Sequence, residues 1–219
     1  EGNAECVANA FLVVACPEES DEMDDVSYVK LNWDRAPKFQ IGTILKKNKS
    51  VIKYPMSESA KQHICDMFDH QDAEVAQGIC NLKGERNQES LVYPFLKYDN
   101  LDTLIVREIE KGDKDNVIKL FRTFYEKLFD GAKTTKKYYT EEFCEVFGEE
   151  NPDKEYHCAA PMNIDLICDN VFCTDDGYTI IDGEWIFPFL IPVEFVIWRS
   201  INELYSKHSG LEAVISRDE

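Results

Sequence analysis

The prevailing hydrophobic period of the chain changes close to residue 97, and that change limits the folds open to it. Before it, apolar residues come in short runs of strand length; after it, they recur at the three-to-four spacing of amphipathic helices. Residues 26–32, 39–45 and 49–54 are rich in Val, Ile and Tyr. They are separated by the breakers Asp34-Arg-Ala-Pro37 and Lys46-Lys-Asn-Lys49, a pattern that predicts an antiparallel meander. An apolar stretch at 7–15 predicts an earlier strand. Residues 18–25 hold six carboxylates in eight positions, which repel one another and favour a solvated turn.

Ser57 is placed to cap a helix carrying Ala60, Ile64, Met67 and Phe68 on one face, with Glu58 favourable in its first turn. Residues 84–89 read as a polar break and 90–96 as a further strand. From 101 to 129, Leu104, Ile105, Ile109, Val117, Leu120, Phe121, Phe124, Tyr125 and Leu128 predict one or two amphipathic helices. The stretches 133–137 and 141–155 read as solvated surface. Asp175-Asp176-Gly177 marks a hairpin turn between two β-rich runs, and 193–206 predicts a closing helix. The expected class is α+β: an N-terminal antiparallel sheet plus helix, then a mainly helical half carrying one hairpin.

A chain of 219 residues, 44% hydrophobic, has enough apolar surface for a sizeable core. Its net charge of -18 argues against phosphate-backbone binding, so no nucleic-acid partner is expected. No membrane span is expected either, since the best apolar run, 185–198, carries Glu194 and two prolines. Nothing reads as a signal peptide. The eight cysteines (6, 16, 65, 80, 144, 158, 168, 173) contain no CxxC pair, and His63 with Cys65 has no second pair at zinc spacing. Reduced thiols in a cytoplasmic protein are therefore the expectation. The four histidines have no Ser or Cys partner in a recognisable motif, which leaves a hydrolase triad without support. The aromatic residues between Trp185 and Trp198 read as core.

The stretch most informative about chemistry is Asn163-Ile-Asp-Leu-Ile-Cys-Asp-Asn170 followed, after the hairpin, by Ile180-Ile-Asp-Gly-Glu-Trp185. It sets Asp165, Asn170 and Asp182 around one short hairpin, with Glu184 beside them. Phosphoryl transfer requires such a group: one carboxylate to position or deprotonate the attacking hydroxyl, and an amide plus a second carboxylate to hold magnesium. Asp and Asn are also ordinary turn formers at hairpin ends.

The segment resembles the catalytic and metal-binding loops of the protein-kinase-like superfamily, nearest to its aminoglycoside and choline phosphotransferases. The five-residue step from Asp165 to Asn170 matches the family's HRDxxxxN or HGDxxxxN loop, and Ile181-Asp182-Gly183-Glu184 resembles its Ile-Asp-Trp-Glu strand end. Val51-Ile52-Lys53 resembles the family's Val-Ala-Ile-Lys strand. The resemblance implies a two-lobed kinase-like fold, with residues 1–93 as a β-rich lobe, 94–219 as a helical lobe and a hinge near 94–99. It implies Mg2+ and ATP as cofactors and a small-molecule or sugar hydroxyl as acceptor. Lys53 would contact the α and β phosphates and pair with Glu58, with Asp66 and Glu74 as alternatives. Pro94 and Leu96 would bind adenine through the backbone; Asp165 would be catalytic, and Asn170 and Asp182 would hold the metal.

This sequence departs from the family pattern in four places. One is the ion-pair partner of the strand lysine, normally a helix glutamate well downstream, whereas Glu58 is only five residues from Lys53. The loop 33–38 has no glycine, leaving Arg35 or Lys38 to take over from a backbone phosphate cradle. The usual loop histidine is Asn163. The stretch after Asp182 is short for a protein kinase's activation segment and substrate platform. A non-catalytic pseudokinase module, binding nucleotide weakly or scaffolding a glycan-biosynthesis enzyme, is the alternative expectation. A fainter likeness of Ala10-Phe-Leu-Val, Phe39-Gln-Ile-Gly-Thr and Ile191-Pro-Val-Glu-Phe-Val to a domain beside glycosyltransferases in bacterial surface-glycan proteins implies a neighbouring glycosyltransferase domain.

Overall fold

The computed structural model describes residues 25–137, 139–148 and 154–217. The apolar run at 7–15, the likeness at Ala10 and most of the acidic run at 18–25 lie outside the described residues. In chain order the elements are β1 (Val26–Leu31), β2 (Ile41–Lys46), β3 (Ser50–Pro55), α1 (Lys61–His70), β4 (Ile79–Asn81), β5 (Glu85–Asn87), β6 (Ser90–Pro94), α2 (Leu101–Lys111) and α3 (Lys114–Gly131). There follow β7 (Thr135–Lys137), α4 (Glu141–Phe147), β8 (Tyr156–Ala159), β9 (Met162–Asn163), β10 (Val171–Thr174), β11 (Gly177–Ile180), β12 (Ile186–Phe187), β13 (Ile191–Pro192), α5 (Val193–Lys207) and α6 (Leu211–Val214). The chain is α+β and divides into two compact units. Of the described residues, those up to Ile64 with Glu85–Phe95 form one, and Cys65–Gly84 with those from Leu96 onward form the other. The sequence reading places residues 65–84 in the first lobe, whereas they belong to the second unit because β4 pairs in parallel with β11.

The first unit is a five-stranded antiparallel sheet in the order β1-β2-β3-β6-β5. Its meander β1-β2-β3 follows the expected boundaries to within two residues at each end. Gly42 lies opposite Tyr54 in the β2–β3 register, and a Cβ at position 42 would sit 2.3 Å from the Tyr54 ring, so that ring needs a glycine beneath it. Ile41, Ala60, Ile64 and Leu91 form the buried side of this unit, each side chain contributing about 1 to 3 kcal/mol of burial.

Two expectations in this unit are corrected. Residues 84–89 contain β5, an edge strand whose three side chains are all exposed and therefore carry no apolar alternation to reveal it. Ser57 stands at the start of a short 3-10 turn, yet its hydroxyl donates to the Pro37 carbonyl (3.0 Å) and caps nothing.

The second unit is built on the α2–α3 pair. Asn100 caps α2 by accepting the Thr103 amide (2.9 Å), and Asp113 caps α3 by accepting the Asn116 amide (3.1 Å). Between them Gly112 adopts φ +69°, a left-handed conformation that returns amides to the Glu108 and Ile109 carbonyls and ends α2. Leu101, Ile105, Val117, Phe124 and Leu128 pack with Met162, Leu166, Val171, Ile180, Ile191 and Leu204 into one core. The region read as solvated surface contains β7 and α4, and α4 buries Phe143 within an aromatic group of Tyr139, Phe147 and Phe195. Among the described residues no helix is long and apolar enough to cross a membrane.

Candidate functional site

The residues singled out in the second half of the sequence are brought together by short, irregular pairings. β9 pairs with β12, placing Asn163 opposite Ile186, and the Ile164 amide donates to the Trp185 carbonyl (3.1 Å). A 3-10 turn at Cys168–Asn170 then leads into β10, whose register with β11 sets Val171 opposite Ile180. One pair further on, the Ile181 amide donates to the Asn170 carbonyl (3.0 Å). The hairpin therefore lays 163–170 alongside 181–185, with Asn170 beside the Ile181-Asp182 step.

Side chains lock this arrangement. Asn163 is fully buried; its Nδ2 donates to the Asp182 carbonyl (2.9 Å), and its Oδ1 accepts the Asp165 amide (2.9 Å). Asn170 Nδ2 donates to the Asp165 carbonyl (3.0 Å), which turns its amide oxygen the other way. The Glu184 amide reaches Asp182 Oδ1 (3.4 Å), and Glu184 itself is buried. Asp165 is 14% exposed and its Oδ1 pairs with Arg199 Nη2 at 2.6 Å. Burial raises the Asp165 carboxyl above the usual carboxylate range; Arg199 opposes that, while the charges of Asp182 and Glu184 add to it. A carboxylate moved in this direction is a better proton acceptor.

The donor chemistry fits magnesium. An asparagine oxygen and an aspartate carboxylate are hard ligands of the kind Mg2+ takes, one or two from protein with the rest from water and phosphate. Among the described residues no group of three or more His, Cys, Asp or Glu side chains is arranged to hold a metal by itself.

The other predicted residues lie on the first unit, apart from Leu96 and the alternative lysine partners Asp66 and Glu74, which belong to the second. Lys53 sits mid-strand in β3, opposite Thr43 on one side and Leu91 on the other, and is only 8% exposed, so it is no solvated strand end. Glu58 is 85% exposed and pairs with Lys61 at 2.6 Å, the ordinary role of a first-turn helix charge. Arg35 is half-buried in the β1–β2 connection, where its carbonyl accepts from Gln40 (2.9 Å); Lys38 extends over the Phe39 ring. Pro94 is exposed at the end of β6 opposite Ser50, and Leu96 is the first residue beyond the boundary between units. Asp165, Asn170, Asp182 and Glu184 are thus the predicted set that the fold assembles within one unit.

Sequence reasoning missed two contributors. Asn163 registers there as a departure from a motif, whereas it is the buried bracket joining the two halves of the site. Arg199 stands 34 positions after Asp165, beyond any motif spacing. Its one legible signal is that it is the single basic residue of α5 before Lys207. Trp198, read as core, is instead 61% exposed. No protein-family model matches the chain, and no curated protein matches it.

Proposed function

We propose that the protein is a Mg-ATP-dependent phosphotransferase acting on a small-molecule or sugar hydroxyl, within a two-lobed kinase-like fold. The observation that carries this reading is the pair of asparagines: Asn163 ties the Asp165 amide to the Asp182 carbonyl, and Asn170 ties into the Asp165 carbonyl. A buried amide that binds the backbone of both segments holds residues 165 and 182 in a fixed relation, which is what a positioning site requires. Asp165 accepts the hydroxyl's proton or fixes its orientation, helped by a carboxyl held above its ordinary range. On the second unit Asn170 and Asp182 would hold magnesium; the roles of Lys53, Pro94 and Leu96 toward the nucleotide rest on the resemblance alone. Magnesium, when bound, would supply charge neutralisation of the phosphates, and the protein's own work would be positioning.

The Arg199 pairing and the glycine-free loop 33–38 favour a second reading, a pseudokinase scaffold beside a glycosyltransferase, because an aspartate already held by a guanidinium has one oxygen fewer for a substrate hydroxyl. Thermal melts with ATP, with Mg2+ and with both, on wild type and Asp182→Ala, separate the two. Stabilisation that needs both ligands and disappears in the variant is expected, amounting to about 2.7 kcal/mol at a hundredfold excess over Kd. A melt unmoved by millimolar Mg-ATP overturns the enzyme reading.

A further inference from the structure

We propose that the groove lined by α3 and α5 binds a small amphipathic carboxylate, a molecule with an apolar body and one anionic end. None of Asp165, Asn170, Asp182 and Glu184 lines it, so the inference stands apart from the phosphotransferase reading. α3 contributes Ile118, Phe121 and Tyr125 at three-to-four spacing, and α5 contributes Ile201 and Tyr205 one turn apart. The space between them is about 420 Å3, the size of a small-molecule site. Phe121 and Tyr125 stack with centroids 5.8 Å apart; Tyr125 is buried, whereas Ile118, Phe121, Ile201 and Tyr205 are only half-buried and keep apolar surface open to a ligand. The segment after α6 supplies a further wall through Ile215, whose carbonyl accepts from Tyr205 Oη (2.9 Å). That bond ties the segment to α5, so the groove is formed before anything enters it.

Charge decides the other end of the ligand. In a chain of net -18 the lining holds two guanidiniums, Arg122 and Arg217, and no carboxylate. Arg217 is partly engaged, lying over the Tyr205 ring at 5.0 Å with its Nε 3.6 Å from Glu212. Arg122 is not. Among the described residues it makes no ion pair or hydrogen bond, and Glu126, one turn further along α3, is exposed and does not pair with it. A carboxylate on an apolar body seated against the rings meets an unspent planar fork there. A single charge suits the groove better than a doubly charged phosphate, because the field of the whole chain opposes each negative charge brought up to it.

The test is titration calorimetry on the intact chain at low salt, with octanoate, octanol and octyltrimethylammonium. Net charge alone would rank the cation first and the carboxylate last. The groove reverses that order, and octanoate should bind at least tenfold tighter than either of the others. Arg122→Gln, at an exposed and unpaired position, should lower octanoate to the affinity of octanol and leave octanol unchanged. Ile201→Trp, which fills the groove, should weaken octanoate and octanol alike by about tenfold. Octanoate binding no tighter than octanol, a preference that survives in Arg122→Gln, or affinities untouched by Ile201→Trp each overturn the proposal. Sedimentation of the same samples tests a second copy as the occupant: a dimer that Phe121→Glu splits makes the groove a self-association face and overturns the carboxylate site, while a monomer with the expected octanoate preference upholds it.

Discussion

A single buried amide holds the candidate site in register. Replacing Asn163 with Ala strands the Asp182 carbonyl and the Asp165 amide without partners, so Asn163→Ala should lose about 2 to 4 kcal/mol in urea unfolding, well above a surface substitution. An unchanged midpoint would show that water replaces the bracket at no cost. The thiols give a pH signature. Burial pushes the Cys168 thiol from 9.0 up to about 12. The folded state therefore keeps a proton that the unfolded chain releases near pH 9.0, and the associated stability is present below that value and lost as pH climbs toward 12. The Tm should fall between pH 9 and 11, less steeply in Cys168→Ala. Among the described cysteines, iodoacetamide should modify the exposed Cys80 first and Cys168 only on unfolding.

Between elements, Asn100 serves two masters. Its Oδ1 caps α2 and its Nδ2 donates to the Asp169 carbonyl (2.9 Å), joining the helix to the 3-10 turn ahead of β10. Asn100→Ala should thus cost about 2 kcal/mol, whereas Asn100→Asp, which retains the cap alone, should lose less; equal losses from both would place the whole effect in the contact to Asp169. α2, α3, α5 and the β10–β11 hairpin were legible because each carries its own periodic stripe or turn signal. β4, β5, β7, β9, β12 and β13 were not. They are two or three residues long, too short for a period, and exist only because a partner strand offers hydrogen bonds.

For the molecule as a whole, charge is the dominant long-range term. Exposed pairs such as Lys61–Glu58 and Arg107–Asp99 contribute little and weaken in salt, and a net -18 makes self-repulsion the larger effect. Raising NaCl from 10 mM to 500 mM should therefore raise the Tm by about 3 °C. A fall would show that the ion pairs outweigh the repulsion.

Hydrophobic period, breakers and caps are local, so the sequence by itself determined the α+β order, the three-stranded meander, the α2–α3 pair, the hairpin and the set Asp165, Asn170, Asp182 and Glu184 that the hairpin gathers. The ion pair of Arg199 with Asp165, the bracket of Asn163, the exposure of Trp198 and the placing of residues 65–84 with the second unit were decided by tertiary structure alone. Each depends on a contact between segments far apart in the chain, and no local spacing encodes which distant side chain will fill a given hydrogen bond or cover a given ring.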